Sequence, residues 1–438
     1  MADPALPGVI RINDLATPRL DDVQRLALEY GERHPVQLTE DAVLDAARTR
    51  TGLTSFGPDD FRARMNLWLG DVAADTNRTA LGRRMIFDYC VRYAANRQRI
   101  FDLLTRHPEI RATPIVAPVV VVGLPRSGTT HLLNLLSADT RLRSLPLWES
   151  YEPIAVPDEP VADDGVDPRY RRAAIEWEQM QMVAPYTAAM HPMDPDHIHE
   201  EIELQGADFA HYQPEWVSYA PRYRDWYLAT DQTPHYEFLR TVLQILQWQD
   251  ARGRDHVAGN DSTATTAPRW VLKSPQHLEQ LGPLLHTFPD ATIVTTHRDP
   301  VSVVQSAATM TAYAARLQYR EVDPGHHLRY WADRIEILLR ASVRDARLID
   351  PDRHVDVYFD DFMTDEIDTM RRILGVAGLS WTETCAAQVG QRRTERPRGK
   401  YGRVAYDLRA DFGADPAEIR DRFAFYFTAY PRLRVEVP

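Results

Sequence analysis

The spacing of apolar residues changes near residue 112. Before this point, apolar residues recur every three to four positions, as in "ALGRRMIFDYCVRYAANRQRIFDLLTRHP" (80–108), and the pattern stops at the final proline of that run. This period is typical of amphipathic helices, and proline commonly follows a helix end. The pattern predicts a helical N-terminal region over residues 1–112.

From residue 113 onwards, short runs of β-branched residues alternate with helix-like segments. Continuous apolar runs of this kind are typical of strands buried on both faces of a parallel sheet. Strands that alternate with helices form right-handed crossovers, which place helices on both faces. The sequence therefore predicts an α/β domain over residues 113–438. Its predicted strands are "IVAPVVVVG" (115–123), "RWVLKS" (269–274), "ATIVTTHRD" (291–299) and "HVDVYFDDF" (354–362).

A long insertion separates the first two of these strands. Residues 150–268 are rich in Trp, Tyr, Pro and charged residues, and "YEFLRTVLQILQWQD" (236–250) has a helical pattern. Residues 251–268 contain Gly, Ser, Thr and Asn, which predicts a surface loop. We expect the insertion to be a helical lid.

Charge and cysteine content narrow the classes of function. The net charge of −12 argues against a nucleic-acid binder, because affinity for a phosphate backbone needs clustered Lys and Arg. The two cysteines do not form a Cys-x-x-Cys pair, which disfavours a disulfide framework. No signal peptide and no transmembrane segment is recognised. These features predict a cytoplasmic protein.

The turn after the first strand carries the clearest chemistry. Its spacing, Gly123-x-x-x-x-Gly128-x-Thr130, matches a phosphate-binding loop, but Thr129 stands where such loops carry lysine, and the cation is Arg126 instead. A turn of this kind between a buried strand and a helix can surround an anion with backbone N–H groups. The pattern indicates an anion site that differs from that of a nucleoside triphosphatase.

Four segments together resemble sulfotransferases that use 3′-phosphoadenosine 5′-phosphosulfate, and the first is most similar to bacterial members. They are "GLPRSGTTHLLNLLSAD" (123–139), "WVLKSPQHL" (270–278), "HRDPVSVVQSAATM" (297–310) and, more loosely, "RPRGKYGRVAYDLRADFG" (396–413). The resemblance spans roughly residues 100–412. It implies the sulfotransferase fold, in which helices flank a P-loop-type parallel sheet, and it implies this nucleotide as the co-substrate.

The resemblance also implies which residues bind the nucleotide. The first segment would bind the 5′-phosphosulfate, while an arginine at a strand end and a serine eight residues later would bind the 3′-phosphate. A basic loop near the C-terminus would close over the nucleotide. The residues concerned are Pro125, Arg126, Ser127, Gly128, Thr129 and Thr130 in the first segment, Arg298 and Ser306 in the second group, and Arg398, Gly399 and Lys400 in the loop.

Four residues are expected to take part in catalysis. Arg126 would stabilise the charge that builds on the bridging oxygen as the S–O bond breaks, and Lys273 would contact the transferring sulfonate. The general base stays open between His277, which family position favours, and the acidic pair Glu200 and Glu201, of which Glu201 is the preferred candidate. An imidazole or a carboxylate can each take a proton from an acceptor hydroxyl.

The acceptor and the metal content follow less directly from the sequence. The run His197-x-His199-Glu200 would suit a metal, but no further ligand pattern accompanies it, so no metal is expected. Aromatic residues in the insertion suit a small-molecule or lipid-like acceptor, although they suit a helical core equally. The oligomeric state stays open, with a homodimer as one option. These aromatics are Trp177, Tyr186, Tyr212, Trp216, Tyr219, Tyr223, Trp226 and Tyr227.

Two other functions remain at this point. A P-loop kinase or nucleotidase would bind ATP with magnesium, but it normally needs the lysine that Thr129 replaces. A regulatory protein without chemistry would bind the nucleotide and leave it intact. This second alternative would be favoured if neither His277 nor the Glu200/Glu201 pair faced the nucleotide.

Overall fold

The computed structural model describes residues 8–156, 159–257 and 268–436. Seven strands lie within these ranges: β1 (Val9–Arg11), β2 (Val119–Gly123), β3 (Leu142–Arg143), β4 (Arg269–Lys273), β5 (Thr292–His297), β6 (His354–Tyr358) and β7 (Arg403–Ala405).

The helices make up most of the described chain. In the N-terminal half they are α1 (Asp22–Arg33), α2 (Glu40–Thr51), α3 (Phe61–Ala74), α4 (Ala80–Arg106), α5 (Thr129–Leu136), α6 (Leu147–Tyr151), α7 (Pro168–Val183), α8 (Thr187–Met190), α9 (Ile202–Gly206), α10 (Pro214–Val217) and α11 (Pro221–Ala229). They continue as α12 (Thr233–Val257), α13 (Leu281–Thr287), α14 (Pro300–Gln318), α15 (Pro324–Asp345), α16 (Phe359–Thr364), α17 (Glu366–Val376), α18 (Glu383–Glu395), α19 (Leu408–Phe412), α20 (Pro416–Arg422) and α21 (Ala424–Ala429). Short 3-10 helices cover Pro108–Ala112, Pro275–Glu279, Ala346–Leu348 and Pro351–Arg353.

Five strands form one parallel sheet in the order β3-β4-β2-β5-β6. The four strands predicted from the sequence are its four longest members, so the predicted α/β class is confirmed. Strand β2 lies at the centre, between β4 and β5. The carboxyl ends of these three strands therefore meet at one edge of the sheet, where ligands bind in folds of this class.

Strand β2 is buried on both of its faces, as the unbroken valine run predicts. Val119 and Val121 pack with the leucines of α5 and with α17. Val120 and Val122 pack on the opposite face with α12, α14 and α15. Alternate side chains of a strand point to opposite faces of the sheet. A fully apolar strand therefore packs against a hydrophobic core on each face.

The structure adds elements that the sequence pattern does not predict. The two-residue strand β3 extends the sheet beyond β4, and β1 pairs in parallel with β7 as a separate two-stranded sheet. Residues 251–257 continue helix α12 rather than beginning a loop. The rest of that predicted loop, residues 258–267, lies outside the described residues.

The N-terminal helices pack around α4. This 27-residue helix contacts α1, α2 and α3 and also reaches α14 of the sheet region. Within the described ranges, no helix combines the length and the apolar character that a membrane crossing requires.

Candidate active site

The turn between β2 and α5 depends on two glycines. A Cβ on Gly123 would lie 1.8 Å from the Oγ1 of Thr296 on β5, so a side chain cannot fit. Gly128 has φ +85° and precedes the first residue of α5. Arg126 also has a positive φ, +66°. A non-glycine residue in this region is strained by roughly 1–3 kcal/mol, and such strain concentrates at functional sites.

A cavity of about 310 Å³ opens beside this turn. Its lining contains five basic residues and, among the described residues, no aspartate or glutamate. The N-terminus of α5 also faces it through Thr129 and Thr130, which adds the positive end of the helix dipole. In a chain of net charge −12 this is a local reversal of charge. The basic residues are Arg126, Arg298, Arg396, Arg398 and Lys400.

Most of the predicted nucleotide residues line this cavity, and three do not. Ser127 is buried, and its hydroxyl contacts the carbonyl of Leu124 at 2.6 Å and the hydroxyl of Thr296 at 2.8 Å. Ser127 therefore holds the turn against β5 instead of facing the cavity. Pro125 and Ser306 are likewise absent from the lining. The predicted residues present in it are Arg126, Gly128, Thr129, Thr130, Arg298, Arg398, Gly399 and Lys400.

Arg126 connects the turn with two other segments. Its Nε donates to the Oγ of Ser306 on α14 at 3.0 Å, and its Nη1 donates to the carbonyl of Met190 at the end of α8. Ser306 in turn donates to the hydroxyl of Tyr406 at 3.0 Å. The resemblance assigned Arg126 and Ser306 to opposite ends of the nucleotide, whereas here their side chains touch.

Arg298, which follows β5, is held by the C-terminal segment. Its Nε and Nη2 donate to the two carboxylate oxygens of Glu436 at 2.6 and 2.8 Å. Its Nη1 donates to the carbonyl of Arg126, and its guanidinium lies 4.0 Å from the ring centre of Phe359. Carboxylate and phosphate groups both accept two parallel hydrogen bonds from an arginine. Glu436 therefore occupies the N–H donors of Arg298 that a phosphate would use.

A second polar cluster lies at the end of β4. The Nζ of Lys273 contacts the Oε1 of Glu200, while the backbone N–H of Lys273 donates to the Oε2 of Glu201 at 2.9 Å. The other oxygen of Glu201 contacts the Nε2 of His277. The Nδ1 of His277 lies 2.7 Å from the hydroxyl of Tyr236. Both ring nitrogens of His277 are thus engaged.

Burial separates the three candidates for the general base. The side chains of His277 and Glu201 are 0% and 1% exposed, whereas that of Glu200 is 14% exposed. A base must come within hydrogen-bonding distance of the proton that it takes. The structure therefore does not favour His277 or Glu201 in the predicted role of base, because both have internal partners and no exposed surface. None of the three candidates lines the cavity, and neither does Lys273.

The pKa values of the two glutamates shift in opposite directions. Burial raises the pKa of Glu200, and the opposing effect of Lys273 is smaller. Burial would also raise the pKa of Glu201, but His277 and the backbone N–H of Lys273 stabilise its charged form, and the net effect lowers this pKa. A carboxylate with a raised pKa is the stronger base.

The acidic residue after β5 is used for structure. One oxygen of Asp299 accepts from the backbone N–H of Val301 at 2.9 Å and caps α14. The other accepts from the N–H of Glu436 at 2.9 Å and from Arg420 at 3.3 Å. Both oxygens of this buried carboxylate already accept hydrogen bonds within the protein, so it is poorly suited to hold the magnesium of a kinase.

Comparison with known proteins decides the family. The profile of the sulfotransferase family matches residues 118–383, more than half of the chain. This chain belongs to the sulfotransferase family. The resemblance drawn from the sequence is confirmed, and the protein is an enzyme of this family.

Two solved bacterial sulfotransferases share the fold over nearly their whole length. Sulfotransferase STF9 from Mycobacterium avium is 26% identical, with a TM-score of 0.77 over 92% of this chain and 99% of its own. Sulfotransferase STF1 from Mycobacterium tuberculosis is 25% identical, with a TM-score of 0.74 over 88% and 98% of the two chains. A search of curated protein sequences found no significant match.

The aromatic residues of the insertion have mixed environments in this sulfotransferase. Tyr212, Tyr223 and Tyr227 are buried in the core, while Tyr186 and Tyr219 are exposed. Trp216 and Tyr219 line a larger cavity of about 660 Å³ between α3, α10 and α15. None of the predicted site residues lines that cavity. The buried members of these aromatic residues are therefore part of a helical core, which was one of the two expected roles.

Several residues of the sulfotransferase site have no role that was predicted from the sequence. Arg396 lines the cavity and pairs with Asp194 at 2.8 Å; its place in the basic run "RPRGK" was the available signal. His197 also lines the cavity. Glu436 gave no signal, because its contact with Arg298 joins segments that are distant in the chain.

Proposed function

We propose that this sulfotransferase moves a sulfuryl group from 3′-phosphoadenosine 5′-phosphosulfate to a hydroxyl or amine of a small-molecule or lipid-like acceptor and releases 3′,5′-adenosine bisphosphate. The observation that carries this proposal is the cavity beside the β2–α5 turn, whose charged lining residues are all basic. A nucleotide with a 5′-phosphosulfate and a 3′-phosphate needs cationic donors at two separate points, and this lining can supply both.

The 5′ end of the donor would lie at the N-terminus of α5. Thr129 and Thr130 supply backbone N–H groups and hydroxyls in the first helical turn, and Arg126 supplies a fixed positive charge. An arginine cannot give up its proton at neutral pH. Arg126 would therefore act by stabilising the charge on the departing phosphate oxygen.

The 3′-phosphate would take the place of Glu436 on Arg298. The fork of Arg298 already holds a bidentate anion, and Phe359 supports it from one side. The turn over Arg398, Gly399 and Lys400 lines the same cavity and adds two exposed cations. In this arrangement Ser306 would act indirectly, by accepting a hydrogen bond from Arg126 and holding its side chain.

Glu200 is the proton acceptor that the geometry supports best. It is the most exposed of the three candidates, its pKa is raised by burial, and it contacts Lys273. The side chain of Lys273 is only 1% exposed, so Lys273 would hold Glu200 in place and attract the sulfonate oxygens through its charge. Glu201 and His277 would position this pair from behind, since Glu201 accepts from the backbone of Lys273.

The position of the acceptor follows from this assignment. Lys273 lies on β4, and Glu200 lies on the 150–268 insertion. We therefore infer that the acceptor approaches from the side of the insertion. The exposed Tyr186 lies in the same insertion. We keep the division into an N-terminal helical region (1–112) and a sulfotransferase domain (113–438) as part of this proposal.

The two alternatives are less well supported. A kinase needs a lysine in the turn and a carboxylate free for magnesium. Here the turn has Thr129, and both oxygens of Asp299 accept hydrogen bonds within the protein. A regulatory protein without chemistry would not need a partly exposed carboxylate beside Lys273. Glu200 provides one.

The test is a transfer assay with donor labelled in its sulfuryl group. The enzyme would be offered phenolic, sterol-like and lipid hydroxyl acceptors, with [γ-³²P]ATP and magnesium as the parallel donor. We expect label in an acceptor from the sulfuryl donor alone, and we expect Arg126→Ala to reduce transfer by at least about a hundred-fold. Exposed Arg25→Ala is the matched control and should leave transfer unchanged. Phosphoryl transfer from ATP would instead support the kinase.

A further inference from the structure

Three histidines converge behind the anion cavity. The ring centres of His191, His197 and His199 are 5.5, 6.0 and 5.7 Å apart in the three pairs. One nitrogen from each ring lies within 4.8 Å of the other two. His191 follows α8, and the other two stand six and eight residues later.

Two nitrogens of these rings lack the partner that a buried polar atom needs. Within the described residues, the Nε2 of His197 and the Nδ1 of His199 have no hydrogen-bond partner. These residues are only 2% and 6% exposed. Buried polar groups are nearly always satisfied, and an exception calls for a ligand or another specific reason. These two atoms on neighbouring rings are therefore free to bind a ligand.

Local backbone contacts hold the histidines in place. The N–H of His199 donates to the carbonyl of Leu145 at 2.7 Å, and the carbonyl of His197 accepts from Leu147 at 2.9 Å. The N–H of His191 donates to Thr187 at 2.7 Å. These bonds fix the backbone under the three side chains, which lowers the entropic cost of binding a ligand.

Neutral imidazole is the commonest protein ligand for transition metals. The side chains of Lys273 and Arg126 lie near His191, and their positive charges oppose the binding of a further cation there.

We propose that His191, His197 and His199 form a binding site for a divalent transition metal, with Zn²⁺ as the preferred ion. Three neutral nitrogen ligands with one open position are typical of catalytic zinc sites. Bonds of about 2.1 Å require the three rings to rotate inwards by roughly 1 Å. His197 also lines the anion cavity, so the site adjoins the proposed nucleotide site.

This inference revises the expectation of no metal. The sequence offered His197-x-His199 without a further ligand, and the fold supplies the third nitrogen from His191. The site lies between the two parts of the proposed reaction centre. Met190, adjacent to His191, accepts from Arg126, and Glu200, adjacent to His199, contacts Lys273. The metal site does not depend on the identity of the sulfuryl donor.

The test uses full-length protein without a histidine tag, stripped with a chelator and free of nucleotide. Co²⁺ is added as a spectroscopic probe, and Zn²⁺ is titrated by calorimetry. We expect one ion per chain, visible d–d bands of four-coordinate Co²⁺, and loss of these bands when Zn²⁺ is added. His197→Gln and His199→Gln should each weaken Zn²⁺ binding by more than about 100-fold, which exceeds the usual effect of losing an outer partner of a metal ligand.

The controls separate this site from surface binding and from misfolding. His286→Gln removes an exposed histidine and should leave the stoichiometry and affinity unchanged. His191→Gln changes the least buried member of the set and should also abolish the d–d bands. If the His197 and His199 variants do not fold, the d–d bands and the Zn²⁺ affinity of His191→Gln test the proposal instead. Binding without d–d bands, or binding equal in His191→Gln and in the unmodified protein, overturns the proposal.

Discussion

Glu200 and Glu201 are adjacent in the chain, yet their carboxylates have different surroundings. Glu201 has both oxygens bound and is buried, while Glu200 contacts Lys273 and keeps some exposed surface. The acidic pair was evident in the sequence. Which member can reach a substrate was not, because that depends on the orientation of the segment against β4.

The first prediction concerns the base. Glu200→Gln should lower kcat by about 10²–10⁴-fold, the usual contribution of a general base. Because the pKa of Glu200 is raised, the acid limb of the rate profile should rise through an apparent pKa above ~4.3, the ordinary value for glutamate. Steady-state rates across pH, with KM measured separately, check this. The limb should disappear in Glu200→Gln.

His277 provides the matched contrast. We expect His277→Gln mainly to lower the melting temperature, since this residue bridges Glu201 and Tyr236 in the interior. The assignment would be contradicted by a His277→Gln enzyme that melts normally and has lost turnover, together with a Glu200→Gln enzyme that keeps it.

The second prediction concerns Arg298. Binding of a 3′-phosphate requires Arg298 to release Glu436, and a partly exposed ion pair contributes at most about 1 kcal/mol. Glu436→Gln should therefore tighten binding of 3′,5′-adenosine bisphosphate by up to about five-fold. Exposed Glu418→Gln serves as the control. Calorimetry compares the two, and equal affinities would mean that Glu436 does not compete for this site.

At the scale of elements, the two three-residue strands β1 and β7 connect the N-terminal segment with the site. Strand β1 pairs with β7, which directly follows the turn over 396–402. Ile12 packs there with Val404 and with Met190, whose carbonyl accepts from Arg126. Strands of two or three residues carry no periodic signal, so neither β1, β3 nor β7 could be predicted. The four longer strands could, because valine and isoleucine runs bounded by turns are distinctive.

The third prediction tests this connection. Ile12→Asp places a carboxylate in the small apolar cluster and should release the 396–402 turn. We expect faster amide exchange over residues 399–406 and weaker bisphosphate binding, with exchange in β2 and β5 unchanged. Val9→Asp makes the same change at a position that is 72% exposed and should have little effect. Identical exchange patterns in the two variants would argue against the connection.

At the scale of the whole molecule, a buried ion cluster joins the N-terminal helices to the rest. Asp208 accepts from Arg64 on α3 at 2.7 Å and from Arg97 on α4 at 2.8 Å, and it contacts His235 on α12. These contacts cross the division predicted at residues 112 and 113. The sequence showed a change in periodicity there, but it could not show that the two parts share a buried charge cluster. We expect one cooperative unfolding transition.

The fourth prediction concerns stability. Asp208→Asn leaves buried arginines without their counter-charge and should lower the free energy of unfolding by about 3–5 kcal/mol. Asp60→Asn is the control, because Asp60 also contacts Arg64 but its side chain is 59% exposed; it should cost no more than about 1 kcal/mol. Denaturant unfolding followed by circular dichroism measures both. Similar losses in the two variants would contradict the role of Asp208.

The same aspartate gives a direction for pH dependence. Burial would raise the pKa of Asp208, but His235, Arg64 and Arg97 lower it overall. Its contribution to stability is therefore complete above ~3.9, the ordinary value for aspartate, and is lost as pH falls through the lower folded-state pKa. Asp208→Asn should flatten the acid limb of the stability curve.

The proposed donor site is tested most directly by calorimetric titration with 3′,5′-adenosine bisphosphate beside AMP and beside ATP with magnesium. We predict tight binding of the bisphosphate and much weaker binding of the other two. Arg298→Ala should weaken bisphosphate binding by at least about ten-fold, in line with the loss of a charged hydrogen-bond partner. Arg25→Ala should bind normally. Preferential binding of ATP with magnesium, undiminished in Arg298→Ala, would contradict the proposed donor site.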